Sequence, residues 1–154
     1  TPGARRFAQM LSVVTQRLAY LIVQDGEGAT RVATVDVEGA RTEAEAQACA
    51  RQVATSSLVR TMLASADPNV GRIAAAAGAS RARFRAERLD ILVSGYPVVR
   101  GGVAQRLGKT LAHRLLSPRE IRILIRLHAG SARATMLMCD LTEAYVRINA
   151  RYST

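Results

Sequence analysis

Tryptophan is absent from this chain, and its aromatic residues are limited to four Tyr and two Phe. A core built on aromatic rings is therefore excluded. With hydrophobic content at 49%, the interior has to be made of Ala, Val, Leu and Ile, as in a soluble α/β protein. Cysteine is scarce as well: Cys49 and Cys139, with no CxxC spacing, do not make a disulfide framework. Two histidines, His113 and His128, complete no recognisable metal-ligand pattern, so no metal site is expected. No uninterrupted apolar run approaches the ~18 residues that cross a bilayer. The first residues lack the charged-then-apolar layout of a secretory signal. These absences lead to the expectation of a reducing, cytoplasmic setting without membrane contact.

Lysine is nearly missing too. Of 22 basic residues only Lys109 is lysine, a ratio that a coding bias toward arginine explains as well as selection for phosphate contacts does. The formal net charge of +10 is unevenly placed, with fifteen basic and six acidic residues in 67–154 against seven and six in 1–66. Its densest cluster is Arg81, Arg83, Arg85 and Arg88, where alternation would line one face of an extended segment. Only Phe84 lies among them, and helix-turn-helix and zinc-finger spacings are absent. The cluster reads as a solvated loop or a partner surface, and nucleic acid is not expected as a partner.

At 154 residues the chain is expected to form a single domain, 1–154, with a real core. Phe7, Met10, Leu11, Val14, Leu18 and Ile22 at helical spacing predict an amphipathic helix over 4–23. Val32, Val35 and Val37 predict a strand over 31–38. Thr42 with Glu45 forms a capping box for a helix over 43–56. Residues 57–64 fit either strand or helix. Asp67-Pro68-Asn69 breaks the chain before a short helix from Gly71 to Ala77. A strand over 88–94 turns at Gly95-Tyr96-Pro97 and resumes at Val98-Val99. Residues 103–115 look partly helical up to the Ser117-Pro118 break. Strands over 120–127 and 132–138, joined by the turn 128–131, predict a hairpin, and a last helix runs from about Leu141 to Asn149. The fold class is α/β, with a mixed, partly antiparallel sheet layered with helices.

The stretch Asp25-Gly26-Glu27-Gly28-Ala29-Thr30 sets one carboxylate between two glycines, after a helix and before a strand. The flanking glycines let the backbone bend sharply and leave the acid unshielded, which suits a carboxylate that meets a ligand such as an ammonium group. The same residues also make an ordinary helix-to-strand turn.

In order and at matching separations, DGEGAT (25–30), VEGA (37–40), SSLVRT through DPNVGRI (56–73), CDLTEAYVRIN (139–149) and the closing ARYST (150–154) resemble the C-terminal part of the ornithine acetyltransferase, or glutamate N-acetyltransferase, family. The resemblance covers nearly the whole chain. It implies ping-pong acetyl transfer from N-acetylornithine to glutamate in arginine biosynthesis, through an acetyl ester on a threonine. That threonine becomes an N-terminus when the precursor cleaves itself, so it carries its own base, the free α-amine. An oxyanion hole from the other chain stabilises the tetrahedral intermediate.

The same resemblance assigns substrate binding to Glu27, Asn149 and Thr154. Taken without the family, these are a turn acid, a helix C-cap and a chain end. No catalytic residue is expected in this chain. In the family the nucleophile lies several dozen residues upstream of the segment matching 4–23, and the oxyanion donors and a substrate-binding lysine lie further back. The implied partners are the missing N-terminal part or alpha chain and pairing of two-chain units. No bound cofactor is implied, with acetyl-CoA an additional acetyl donor in bifunctional members. Thr1 and the Ala134-Thr135-Met136-Leu137 stretch mimic the nucleophile but sit in the wrong register. Val70 stands where the family usually has tryptophan, Ser65 where it often has glycine, and Arg151 where an acid is common. These departures, with the basic C-terminal half, support an alternative function: a non-catalytic interaction module of the same fold that binds an acidic partner or nucleic acid.

Overall fold

The computed structural model describes residues 1–151. Over these residues the elements are α1 (Pro2–Gln24), β1 (Val32–Ala40), α2 (Glu43–Thr55), α3 (Ser57–Ser65), α4 (Gly71–Gly78), a 3-10 turn (Ala86–Arg88), β2 (Asp90–Val93), β3 (Tyr96–Arg100), β4 (Val103–Ala104), α5 (Lys109–Leu116), β5 (Glu120–Arg126), β6 (Ala132–Cys139) and α6 (Glu143–Arg151). The six strands form one mixed sheet in the order β4-β3-β2-β5-β1-β6.

Alternation along β1 decides which face is the core. Ala33, Val35 and Val37 are buried, while Thr34, Asp36 and Glu38 stand on the opposite face. β5 repeats the pattern with Ile121, Ile123 and Ile125 inward, in parallel register with β1 (Val35 beside Ile123). Onto this apolar face α2, α3 and α4 lay Ala46, Cys49, Ala50, Val53, Val59, Met62, Leu63, Ile73 and Ala77. Thr42 caps α2 by accepting from the Glu45 amide at 3.2 Å, as the sequence predicts. The ambiguous segment 57–64 is helical. Its apolar residues 59, 62 and 63 follow helical spacing, and Ser56 caps it by accepting from the Val59 amide. The opposite face of the sheet is polar, with Asp36 paired to Arg122 at 2.6 Å and Glu38 to Arg126 at 3.6 Å.

The predicted hairpin of 120–127 with 132–138 does not form. β1 lies between the two strands, parallel to β5 and antiparallel to β6. The connection 128–131 instead wraps the end of β1, whose Glu38 and Gly39 carbonyls accept from the Leu127, Ala129 and Gly130 amides at 2.7–2.9 Å. A β-carbon on Gly130 would collide with the Ala40 carbonyl, so the wrap depends on that residue. The physical reason is burial: β1 has its inward residues at the centre of the core, and a β5–β6 hairpin would push it to an edge. The sheet is still mixed, as expected, but through insertion of β1. The turn expected at 95–97 falls one residue earlier, at Ser94-Gly95, and Tyr96 and Pro97 belong to β3.

α1 is amphipathic, as its spacing predicts, yet its apolar stripe is uncovered. Among the described residues nothing buries it: Phe7, Met10, Leu11, Val14, Leu18 and Ile22 are 51–73% exposed. Its last turns meet the sheet through Tyr20, whose hydroxyl donates to Glu120. No helix of the described residues is long and apolar enough to cross a membrane.

The two thiols occupy unlike environments. Cys49 is fully buried, and burial pushes its thiol pKa up to about 11, while Cys139 is partly exposed at the end of β6. In the folded chain at pH 8, iodoacetamide is expected to alkylate Cys139 and to reach Cys49 only after denaturation; mass spectrometry showing equal native labelling of both would contradict this packing.

Candidate functional site

Helix α1 ends at Gln24, and Asp25 follows as its C-cap. The next residues close a tight turn, with the Gly26 amide donating to Val23 O at 3.3 Å and the Ala29 amide to Gly26 O at 2.9 Å. Glu27 stands at its crest, exposed. On the other side, Thr142 begins α6. Its hydroxyl oxygen accepts from the Tyr145 amide at 3.3 Å, as an N-cap, and the hydroxyl donates to Gly28 O at 2.7 Å. Gly28 has φ of +68°, and a β-carbon there would lie 2.6 Å from the Tyr145 nitrogen, so the loop backbone rests directly on the first turn of α6.

One turn further along α6 is Asn149. Its Nδ2 donates to Glu27 Oε2 at 2.9 Å and to Tyr145 O at 3.0 Å. Two of the three sequence-predicted site residues, 122 positions apart, are thus in direct contact. Thr154, the third, lies outside the described residues. The contact has a chemical consequence. Both N–H donors of the Asn149 amide are engaged, so the polar atoms of this pair left without a partner among the described residues are acceptors, Glu27 Oε1 and Asn149 Oδ1. Such a pair suits an ammonium group and disfavours a carboxylate.

Beneath the loop lies Asp140, which is 2% exposed and which sequence reasoning missed as an individual residue. Its Oδ1 accepts from the Thr30 and Arg31 amides at 2.8 and 3.0 Å, and its Oδ2 accepts from the Thr30 hydroxyl. The Arg31 guanidinium stands 3.8 Å from Oδ2 and donates to Ala64 O at 2.9 Å, reaching α3. Arg60 of α3 donates through Nε to Cys139 O at 2.9 Å and accepts from the Leu141 amide through its carbonyl at 3.1 Å. Arg72, from the DPNVGR segment, donates to Leu58 O at 3.1 Å and to the Thr61 hydroxyl at 3.3 Å, and pairs with Asp67 at 3.5 Å. The segments 25–31, 56–73 and 139–149 therefore form one hydrogen-bonded cluster. Thr142 had a readable signal, a threonine ahead of a helical run. Asp140 had none, because burial is not written in one residue.

The two mimics of a nucleophile have other partners. Thr135, in β6, donates to Asp36 Oδ1 at 2.7 Å, and the Thr1 hydroxyl oxygen accepts from the Ala4 amide as the cap of α1. Val70 is 4% exposed and packs into the core at the start of α4. Gly28→Ala tests the loop geometry. It is expected to cost about 1–3 kcal/mol of stability and to shift the Asn149 side-chain amide resonances; unchanged melting and unchanged shifts would contradict the close approach.

The family model described as the ArgJ family matches residues 1–154. The chain is 42% identical over 150 residues to the arginine biosynthesis bifunctional protein ArgJ of Thermus thermophilus, covering 97% of this chain and 39% of that protein. It is 42% identical over 156 residues to the glutamate N-acetyltransferase of Methanothermobacter thermautotrophicus, covering 96% of this chain and 39% of that one. The crystal structure of the arginine biosynthesis bifunctional protein argJ from Bacillus halodurans matches with a TM-score of 0.94 at 35% identity, covering 99% of this chain and 72% of that chain. This chain spans about two fifths of the length of the curated relatives it matches. By sequence along its full length and by fold, the chain belongs to the ArgJ family.

Proposed function

We propose that this chain is the C-terminal part of an acetyltransferase that moves an acetyl group from N-acetylornithine to glutamate, and that its own contribution is to hold the substrate. The observation that carries this reading is the Glu27–Asn149 contact, in which only acceptor atoms are left without a partner among the described residues. N-acetylornithine has its α-nitrogen acylated, so its one ammonium group is at the side-chain end. A carboxylate oxygen and an amide oxygen side by side bind that group through charge-assisted hydrogen bonds. The family pattern assigns Thr154 to substrate binding as well.

The chemistry belongs to the rest of the family-length protein. A threonine hydroxyl there attacks the acetyl carbonyl, the carbon–nitrogen bond breaks, and ornithine leaves with the proton on its α-nitrogen. The glutamate amine then attacks the ester carbonyl and the threonine hydroxyl is restored. The transfer uses no bound cofactor, with acetyl-CoA a second acetyl donor if the enzyme is bifunctional. The uncovered apolar stripe of α1 and the exposed Val146 and Ile148 of α6 support the need for that remaining part, which packs over them beside the site. The assembled enzyme works in the cytoplasm as paired two-chain units.

In the full-length enzyme, Glu27→Gln is expected to raise KM for N-acetylornithine by roughly 10–100-fold, the loss of one charge-assisted hydrogen bond, with kcat within a few-fold of wild type. An unchanged KM removes Glu27 from the site. The present chain by itself is expected to transfer no acetyl group, and turnover by it would overturn the assignment of the nucleophile to another segment.

One observation favours the second reading, an interaction module. Between α4 and β2, Arg81, Arg83 and Arg85 are exposed while Ala82 and Phe84 between them pack against the core, so the arginines share the solvent side of an extended segment. Binding to RNA or DNA that falls steeply with salt would support it. The acetyltransferase reading expects no binding even at low salt.

A further inference from the structure

We infer that Asp140 is a positioning residue for the substrate-binding carboxylate: it fixes the 25–31 loop so that Glu27 stands against Asn149. This rests on the reading that Glu27 binds substrate.

Asp140 is the one buried polar or charged residue among those described, and its side chain is fully shielded from solvent. A carboxylate in that position persists only if its oxygens are satisfied. Here the hydrogen bonds come from the loop itself: the Thr30 amide, the Thr30 hydroxyl and the Arg31 amide. The loop has little else of its own. Its internal backbone bonds are confined to Gly26 and Ala29, and sheet pairing begins only at Val32. The amides of residues 30 and 31 therefore have Asp140 as their partner. Two residues beyond Asp140, Thr142 holds the Gly28 carbonyl at 2.7 Å. Glu27 is thus fixed on one side by the end of α1 and on the other by the turn 140–142. That turn also opens α6, the helix that carries Asn149. One turn sets the positions of both halves of the acceptor pair. Removing the Asp140 carboxylate leaves two loop amides without partners and leaves the loop held only by the Thr142 hydroxyl on Gly28 O and the residue 140 amide on Arg31 O, which loosens Glu27 against Asn149, although Asp140 itself lies below the loop.

The test uses the full-length enzyme with the single variants Asp140→Ala, Asp140→Asn and Glu27→Gln and the Asp140→Ala/Glu27→Gln double variant. A misplaced binding group costs on the order of 10–100-fold, so Asp140→Ala is expected to raise KM for N-acetylornithine by that factor while kcat changes by less than about threefold. Asp140→Asn keeps an oxygen that accepts from both amides and is expected to stay within about fivefold of wild type. Because Asp140 acts through Glu27, the double variant is expected to be no more than about threefold worse than Glu27→Gln alone. If the two changes multiply in full, or if Asp140→Ala lowers kcat and leaves KM alone, the inference is overturned and Asp140 only supports the fold. Should Asp140→Ala fail to fold, Thr30→Val removes one loop donor with little change in volume; it is expected to raise KM by about threefold, again without multiplying with Glu27→Gln, and an unchanged KM overturns the inference. A Glu27→Gln enzyme with normal KM overturns the site reading and this inference with it, whereas an impaired one with an independent Asp140 effect overturns this inference alone.

Discussion

A carboxylate buried at the end of β6 holds together what the sequence keeps far apart. Asp140 follows β6 and reaches back across the ladder to the residues that precede β1, where it accepts three hydrogen bonds from Thr30 and Arg31. β1 and β6 are antiparallel neighbours, with Val32 opposite Cys139, so the loop entering β1 and the turn leaving β6 are adjacent by topology. Topology brings them close; Asp140 converts proximity into a defined geometry. Thr142 and Gly28 complete it, because the hydroxyl bond and the absent β-carbon let the loop rest on α6. The 2.9 Å contact between Glu27 and Asn149 is the consequence.

The insertion of β1 between β5 and β6 is therefore more than a detail of strand order. It is the antiparallel pairing of β1 with β6 that sets Val32 opposite Cys139 and so brings the 25–31 loop within reach of Asp140. The same insertion centres Val35 and Val37 in the core, under α2 to α4. Core packing and site assembly thus depend on one choice of partner for β1. The helices add a second tie, since Arg60 and Arg31 connect α3 to the turn and to the loop. What remains open is the apolar stripe of α1, the helix that leads into the 25–31 loop; it is uncovered among the described residues.

Much of this was readable in the chain itself, and the parts that were not share a cause. Helices α1 and α2 follow from apolar spacing and, for α2, from the Thr42–Glu45 capping box, because these signals are local. Segment 57–64 is ambiguous from sequence because eight residues with Leu58, Val59, Met62 and Leu63 as the large apolar positions fit either periodicity until the sheet face is in place. The expected hairpin fails because the rule that two strands with a short connection pair is local. The competitor, β1, lies some eighty residues earlier, and its fit between them is a property of the whole core. In the site, the two flanking glycines leave Glu27 open between a turn acid and a ligand carboxylate, and the family pattern is what singles out both Glu27 and Asn149. Their contact, and the consumption of both Asn149 donors, were not legible, since they depend on the side-chain positions that the 140–142 turn sets. Asp140 belongs to the CDLT stretch, but what distinguishes it is burial, which the sequence does not display.

The central claim is that the loop and α6 together present an acceptor pair to a substrate ammonium group. A crystal structure of the full-length enzyme with N-acetylornithine bound tests it most directly. The account predicts the side-chain ammonium nitrogen about 3 Å from Glu27 Oε1 and Asn149 Oδ1, with the Glu27–Asn149 bond intact. A substrate carboxylate at that position, or an ammonium group held elsewhere with Glu27 facing solvent, would contradict it.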